Sequence, residues 1–194
     1  MIRLPVKKYQ LIYADPAWQY SDKLNNGKRG ACHNYQVMGV TDICDLPIAE
    51  MADDNCLLAM WWVGPQPREA LQVVDAWGFQ LKNMTGFTWH KLTKNGKSHF
   101  GMGRLTRGNC ENVLFATEGK PEVMDRGVRQ FVEAPYRGHS VKPDEVREQL
   151  IRLLGDIPRI ELFAREHPPG WDVFGNEVDT SISLHDYYIS EALS

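Results

Sequence analysis

Residues 9–18 read YQLIYADPAW. The first six, rich in aromatic and β-branched side chains, form a β-type run. The Asp15-Pro16 step ends it in a turn, because the residue before a proline is pushed out of the helical region. Outward from this stretch, residues 56–63 (CLLAMWWV) form a nearly continuous apolar run, the mark of a strand buried on both faces. Ala70, Val73, Val74 and Trp77 then recur at helical spacing, with Gly78 as the stop. Further strands are predicted over residues 79–89 and 112–117. Pro143 with acidic Asp144 and Glu145 opens a helix whose apolar stripe is Val146, Leu150, Ile151 and Leu154, and Gly155 ends it. Residues 160–164 and 173–174 complete the strands. This alternation predicts an α/β sheet with helices on both faces. Ligands of such sheets bind at the carboxyl ends of the strands, and the polar motifs fall there: Asp15 after the first strand, Arg165 and His167 after residues 160–164, Asn176 and Glu177 after the last.

The chain has 194 residues, 43% of them apolar, with 25 acids against 22 bases and a net charge of −3. That length and composition suit a single globular domain with its own core. No apolar stretch is long enough for a membrane helix, and no leader-like run is visible, so a cytoplasmic location is expected. Cys32, Cys44, Cys56 and Cys110 are scattered without CxxC pairs, which argues against a zinc site or a disulfide framework. Cys56 reads as core, as do Trp61, Trp62, Trp77 and Trp89. Two connections, residues 19–41 and 92–109, exceed ordinary loop lengths and are candidates for function. The first carries Lys23, Lys28, Arg29 and His33 against one acid, Asp22. Between Lys91 and Cys110 stand Lys91, Lys94, Lys97, Arg104 and Arg107, with His99 and without an acid. Flexible basic loops beside a catalytic edge suit a phosphate backbone; a solvated surface is the alternative for each. No dedicated sequence-reading module is visible. The tail beyond Asp179 has weak periodicity.

Four blocks occur in order: YADPAWQY (13–20), LLAMWWVG (57–64), HSVKPDEVR (139–147) and ELFAREHPPGWDVFGNE (161–177). With them the chain resembles the DPPW-type N6-adenine methyltransferase family over nearly its whole length. The resemblance implies a Rossmann-like sheet that binds S-adenosyl-L-methionine, with the catalytic motif preceding the cofactor motif. It implies Asp15, Pro16 and Trp18 as the catalytic set and Lys142 as the partner of the cofactor's methionine carboxylate. Glu161, Arg165 and His167 fall at positions lining the cofactor pocket, and Asn176 and Glu177 at the pair that holds the ribose. Tyr20 and Tyr35 fall on the substrate side, Tyr35 on a loop over the active site. The sequence departs from the family at Ala17, where proline is usual, and in MIRLPVKK before the first strand, which lacks the acid that reads the cofactor's adenine in some relatives.

The chemistry fits these residue types. An adenine amine is a weak nucleophile, since its lone pair is delocalised into the ring. Acceptors for both N–H groups free that lone pair, and Asp15 offers a carboxylate while Pro16 offers a carbonyl. Trp18 is placed to stack on an extruded base. Each residue keeps an ordinary alternative: Asp-Pro as a plain turn, Lys142 as a solvated lysine, Glu177 as a surface acid, Arg165 as a partner of Glu161 or Glu166, His167 as a loop-shaping residue. The expectation is methylation of adenine N6 in nucleic acid, DNA ahead of RNA, by a compact enzyme of phage or prophage type. A homodimer is compatible with this, and an inactive nucleic-acid-binding scaffold is the rival from another class.

Overall fold

The computed structural model describes residues 7–18, 38–103, 105–138 and 141–184. Among these the chain runs β1 (Tyr9–Ala14), α1 (Val40–Cys44), β2 (Ala52–Trp62), α2 (Pro67–Ala76), β3 (Gln80–Leu92), β4 (Cys110–Glu118), β5 (Phe131–Pro135), α3 (Asp144–Leu154), β6 (Arg159–Leu162) and β7 (Asp172–Phe174). The strands form one sheet in the order β5-β3-β4-β2-β1-β6-β7. Only β4 runs antiparallel to its neighbours.

Alternation along the central strands feeds two cores. Ile12 and Ala14 of β1, Cys56, Leu58 and Met60 of β2, and Ile160 and Leu162 of β6 face one side, where Ala70, Val73, Val74 and Trp77 close over them. Leu11 and Tyr13, with Leu57, Ala59 and Trp61, face the other side and meet Val146, Leu150 and Leu154 of α3. The period of two along each strand therefore sorts side chains between two helical layers, and helices cover both faces as expected. Pro67 opens α2 in its first turn. Gly155, at φ +84, ends α3 in a conformation that other residues resist.

Trp61, Trp77 and Trp89 are core, as is Cys56, while Trp62 is half-buried. The structure adds two elements to the sequence reading. α1 is only five residues long, too short to show a helical period. β5 (FVEAP) is an edge strand ending in proline, a residue that edges tolerate and that argues against a strand when read alone. Its exposed-buried alternation leaves only Val132 and Ala134 facing inward. β2 begins ahead of the apolar run, because polar Asp53 to Asn55 continue its extended backbone. Residues 179–184 dock rather than trail: Ser181 exchanges hydrogen bonds with Val173 on the edge of β7, and Ile182 and Leu184 pack on the first core.

The topology fixes where a ligand can sit. From β1 the chain moves to β2 on one side, and from β6 to β7 on the other. β1 and β6 are parallel neighbours, so their carboxyl ends open into the crevice at which the winding reverses. Asp15 leaves β1 there, its amide 3.4 Å from the Leu162 carbonyl. Residues 163–165 leave β6 at the same point.

Gly175 closes this crevice against β6. A Cβ on it would lie 2.1 Å from the Ala164 carbonyl oxygen and 2.8 Å from the Ala164 nitrogen. Gly175→Ala must push the two strand ends apart, so we expect a loss of about 1–3 kcal/mol, about 2–4 °C in Tm for each kcal/mol. A thermal melt unchanged within a degree would refute the crowding.

Candidate active site

Asp15 and Pro16 owe their position to Trp18. The Trp18 indole is 5% exposed and donates its N–H to the Trp61 carbonyl at 3.2 Å. Its backbone amide donates to the Pro16 carbonyl at 2.8 Å, closing a three-residue turn centred on Ala17. A ring packed into the core cannot also be the platform on which a base stacks. The geometry makes Trp18 the anchor of the turn, a correction to its expected stacking role. Position 17 supplies a carbonyl that accepts from the Met38 amide at 3.2 Å, a contact open to any residue, which is why alanine serves there. The Pro16 oxygen keeps a second lone pair for a ligand.

A chain of alternating charges runs from Asp15 across the sheet. Lys142 lies 3.2 Å from Asp15 Oδ1 and 3.1 Å from Glu111 Oε2. The other Glu111 oxygen accepts from Lys91. Beneath the chain is an aromatic floor: Lys142 stands over Trp61 at 5.0 Å, and Lys91 over Trp89 and Tyr136 at 5.2 and 5.5 Å. In the floor, the Trp61 indole donates to the Tyr13 hydroxyl at 2.6 Å. Burial, and next the nearby Glu161 carboxylate, push that phenol well above its usual pKa. The solvated-lysine alternative for Lys142 is therefore excluded.

The protonation states follow from burial set against neighbouring charge. Burial pushes the Asp15 carboxyl above its ordinary range, and the Lys142 ammonium only partly opposes this. Burial also works against charge on Glu111, but Lys142 and Lys91 together outweigh it and hold that carboxyl low. Lys142 feels the same burial cost, overcome by Asp15 and Glu111, and stays protonated. Sequence reading missed Glu111. Its signal is an acid just ahead of the apolar run VLFA in the strand CENVLFATE, paired in register with Trp89.

A second cluster lies below the crevice on the β6 side. Arg147 of α3 donates to both oxygens of Glu161, at 2.7 and 3.1 Å, and reaches Asp144 at 2.6 Å and Glu166 at 2.8 Å. Glu161 is 6% exposed, and each of its oxygens accepts one hydrogen bond from Arg147. Burial raises its pKa, and Arg147 holds back part of the rise. The pairing of Arg165 with Glu161 or Glu166 is corrected: Arg147 takes both, and Arg165 faces Glu177 at 3.7 Å. His167 donates Nε2–H to the Trp171 carbonyl at 3.0 Å, which engages one ring nitrogen in shaping the loop. Asn176 and Glu177 stand exposed just beyond β7. Phe163, at the root of this loop, is at φ +62, a strained conformation of the kind found at ligand sites. Lys94, Lys97 and Arg107 are exposed on the 92–109 segment. Tyr20, Tyr35 and Arg104 lie outside the described residues.

This donor set fits S-adenosylmethionine. An ammonium has three donors, and Lys142 commits two of them to Asp15 and Glu111, leaving one for a ligand carboxylate. Arg165 adds a cation, and Glu177 an acceptor suited to ribose hydroxyls. Among the described residues no group of histidine, cysteine or acids could hold a metal, and no helix is long and apolar enough to cross a membrane.

A doubly wound sheet with an acid-proline turn at its reversal point, and cations and acceptors gathered around it, defines a Rossmann-like methyltransferase dependent on S-adenosylmethionine. Residues 9–177 match the MT-A70 family. The chain belongs to that family and is an N6-adenine methyltransferase. It is 32% identical to the Type II methyltransferase M.MunI of Mycoplasma sp., over 94% of this chain and 83% of the relative. It is 26% identical to the human N(6)-adenine-specific methyltransferase METTL4, over 95% of this chain but 40% of the relative. It is 25% identical to the human N(6)-adenosine-methyltransferase catalytic subunit METTL3, over 89% of this chain and 28% of the relative. Against the two human proteins, then, the chain spans less than half of the relative's length.

Two measurements test the clusters. Arg147→Met strands a buried carboxylate and should cost about 3–5 kcal/mol in urea unfolding, whereas Arg147→Met/Glu161→Leu, removing both charges, should recover most of it. A double variant no more stable than the single would show that the pair is not a unit. For Asp15 we expect the ionised carboxylate to be the active form, and Lys142 is the charge that favours it. Lys142→Gln removes that charge, so the Asp15 pKa rises further and the acid limb of kcat/KM against pH moves to higher pH. An acid limb that stays in place would show that Lys142 does not control the Asp15 charge.

Proposed function

We propose that the protein methylates adenine N6 in DNA, taking the target base out of the helix into the crevice in front of Asp15 and Pro16. The observation that carries this is the pair of acceptors at one turn: a carboxylate paired with Lys142, beside a proline carbonyl whose direction is fixed by the buried Trp18. The Asp15 oxygen not committed to Lys142 accepts one N6–H, and the free lone pair of the Pro16 carbonyl accepts the other. Both bonds draw the amine away from conjugation and aim its lone pair into the crevice. Asp15 is then the nearest base for the proton that nitrogen sheds as it becomes a secondary amine. S-adenosylmethionine, when bound, supplies the electrophilic methyl group. Lys142 and Arg165 would hold its carboxylate and Glu177 with Asn176 its ribose, while Arg147 and Glu161 keep the β6 end rigid beneath it. Catalysis is positioning and fixed electrostatics, without a covalent enzyme intermediate.

DNA is favoured over RNA by the likeness to a Type II methyltransferase over most of that relative's length, against the much smaller share of the adenosine methyltransferases that the chain spans. Lys94, Lys97 and Arg107, with Arg104 in the same stretch of sequence, would hold phosphates and place the substrate without reading its sequence.

The test is methyl transfer from labelled S-adenosylmethionine to duplex DNA, single-stranded DNA and RNA, with N6-methyladenine measured after digestion. We expect N6-methyladenine in DNA, and a fall in kcat/KM of about 10²–10⁴-fold for Asp15→Ala. Product in RNA alone would overturn the choice of polymer. No product in any substrate would overturn the catalytic reading in favour of a scaffold.

A further inference from the structure

The segment between β3 and β4 is built as an arm. Thr93 and Lys97 close a turn, with Thr93 N–H donating to the Lys97 carbonyl at 2.7 Å and Gly96 N–H to the Thr93 carbonyl at 2.9 Å. Farther out, Gly101 and Gly108 exchange both backbone hydrogen bonds, at 3.1 and 3.3 Å. The strands of this ribbon approach so closely that a Cβ on Gly101 would lie 2.2 Å from the Gly108 oxygen, and one on Gly103 1.8 Å from the Thr106 oxygen. Three large apolar side chains stand out from its tip: Phe100 is 72% exposed, Met102 90% and Leu105 97%. Arg107 lies against the Phe100 ring at 4.9 Å. A soluble protein has no reason of its own to present such a cluster on a hydrogen-bonded ribbon, so the tip is built for contact.

Charge and position identify the occupant. Residues 91–109 include no acid, while Lys94, Lys97 and Arg107 stand exposed on the same segment, Arg107 against the Phe100 ring. A duplex offers the matching pair of surfaces, phosphates for the cations and base faces for the apolar groups. The arm also springs from the active site. Its root, Lys91, pairs with Glu111, which pairs with Lys142 on Asp15, and His99 stacks at 4.7 Å on Tyr136, the ring beneath Lys91.

We propose that this arm is an unstacking wedge: Phe100, Met102 and Leu105 enter the base stack of duplex DNA beside the target adenine and fill the gap its extrusion leaves, while Lys94, Lys97 and Arg107 grip the flanking phosphates. The proposal rests on the reading that DNA is the substrate. A base leaving the stack costs its stacking and pairing energy, and a side chain that takes its place returns part of the stacking. An adenine already out of a helix needs no such help.

The experiment compares the full-length wild type with Met102→Ser/Leu105→Ser and with Phe100→Ala. The substrates are one DNA strand alone, its duplex, and the duplex with an abasic site opposite the target adenine. These side chains are mostly exposed, so a melt should show intact folding. We expect the duplex-to-single-strand ratio of kcat/KM to fall about tenfold or more in the variants, with the abasic duplex restoring most of it. With 2-aminopurine at the target position, the fluorescence rise on wild-type binding should be lost in the variants. An unchanged ratio overturns the wedge, as does a wild type active on single strands alone. A dimer in light scattering that the variants dissociate also overturns it, in favour of a contact between two copies. A wild type inactive on every substrate instead brings down the functional reading itself.

Discussion

The crevice depends on one buried ammonium. Lys142 sits between Asp15 and Glu111, and without it two carboxylates would share a region shielded from water, where each uncompensated charge costs several kcal/mol. With Lys91 on the far oxygen of Glu111, two cations balance two anions, and the aromatic faces of Trp61 and Trp89 stabilise the cations from below. The balance is uneven along the chain. Glu111 touches both lysines and is held firmly ionised, whereas Asp15 touches only one and is held above the usual carboxylate range. The acid at the end of the chain is therefore the one poised to gain a proton, and it is the one that faces the crevice.

Helix α3 turns this local balance into a property of the fold. Lys142 stands just ahead of its first turn and Arg147 within it, so one short segment carries the cation for the β1 side of the crevice and the cation for the β6 side. Arg147 also takes Asp144 of its own first turn and Glu166 of the loop beyond β6. The apolar stripe of Val146, Leu150 and Leu154 holds the helix to the sheet, and so holds both cations in register with their carboxylates. Packing and electrostatics reinforce each other here, since a shift of α3 along the sheet would expose apolar area and break two ion clusters at once.

Much of this was legible in the sequence because it rests on local signals. Strand β1 and its turn, α2 with its glycine stop, α3 with its proline start, and the two-faced sheet all follow from period and punctuation within short windows. What stayed hidden is long-range. Glu111 reads as one more strand acid until the antiparallel register sets it beside Trp89 and within reach of Lys91 and Lys142. Arg147 reads as a surface arginine, although it falls next to Val146 and one turn ahead of Leu150 and Ile151. Only the placement of β6 under α3 shows why the stripe tolerates a charge. The direction of Trp18 is long-range in the same way: a motif shows that an aromatic follows the turn, but only the packed core shows which way the ring points.

That last point bears on how such a turn can work. An acceptor placed for a transition state is useful in proportion to how little it must reorganise. A carbonyl in a surface loop would need to be ordered by the substrate itself, whereas the Pro16 carbonyl is ordered before any substrate arrives. Proline restricts its own backbone, the Trp18 amide holds the carbonyl from below, and the Trp18 indole is pinned to the Trp61 backbone inside the core. Trp61 in turn donates to Tyr13 and lies under Lys142. The same residue therefore anchors Trp18, and with it the carbonyl acceptor, through its backbone, and through its ring supports the cation paired with the carboxylate. The two acceptors of the site are thus set by one aromatic residue of β2, which is why a buried tryptophan after the acid-proline turn matters more to the chemistry as an anchor than it would as a platform.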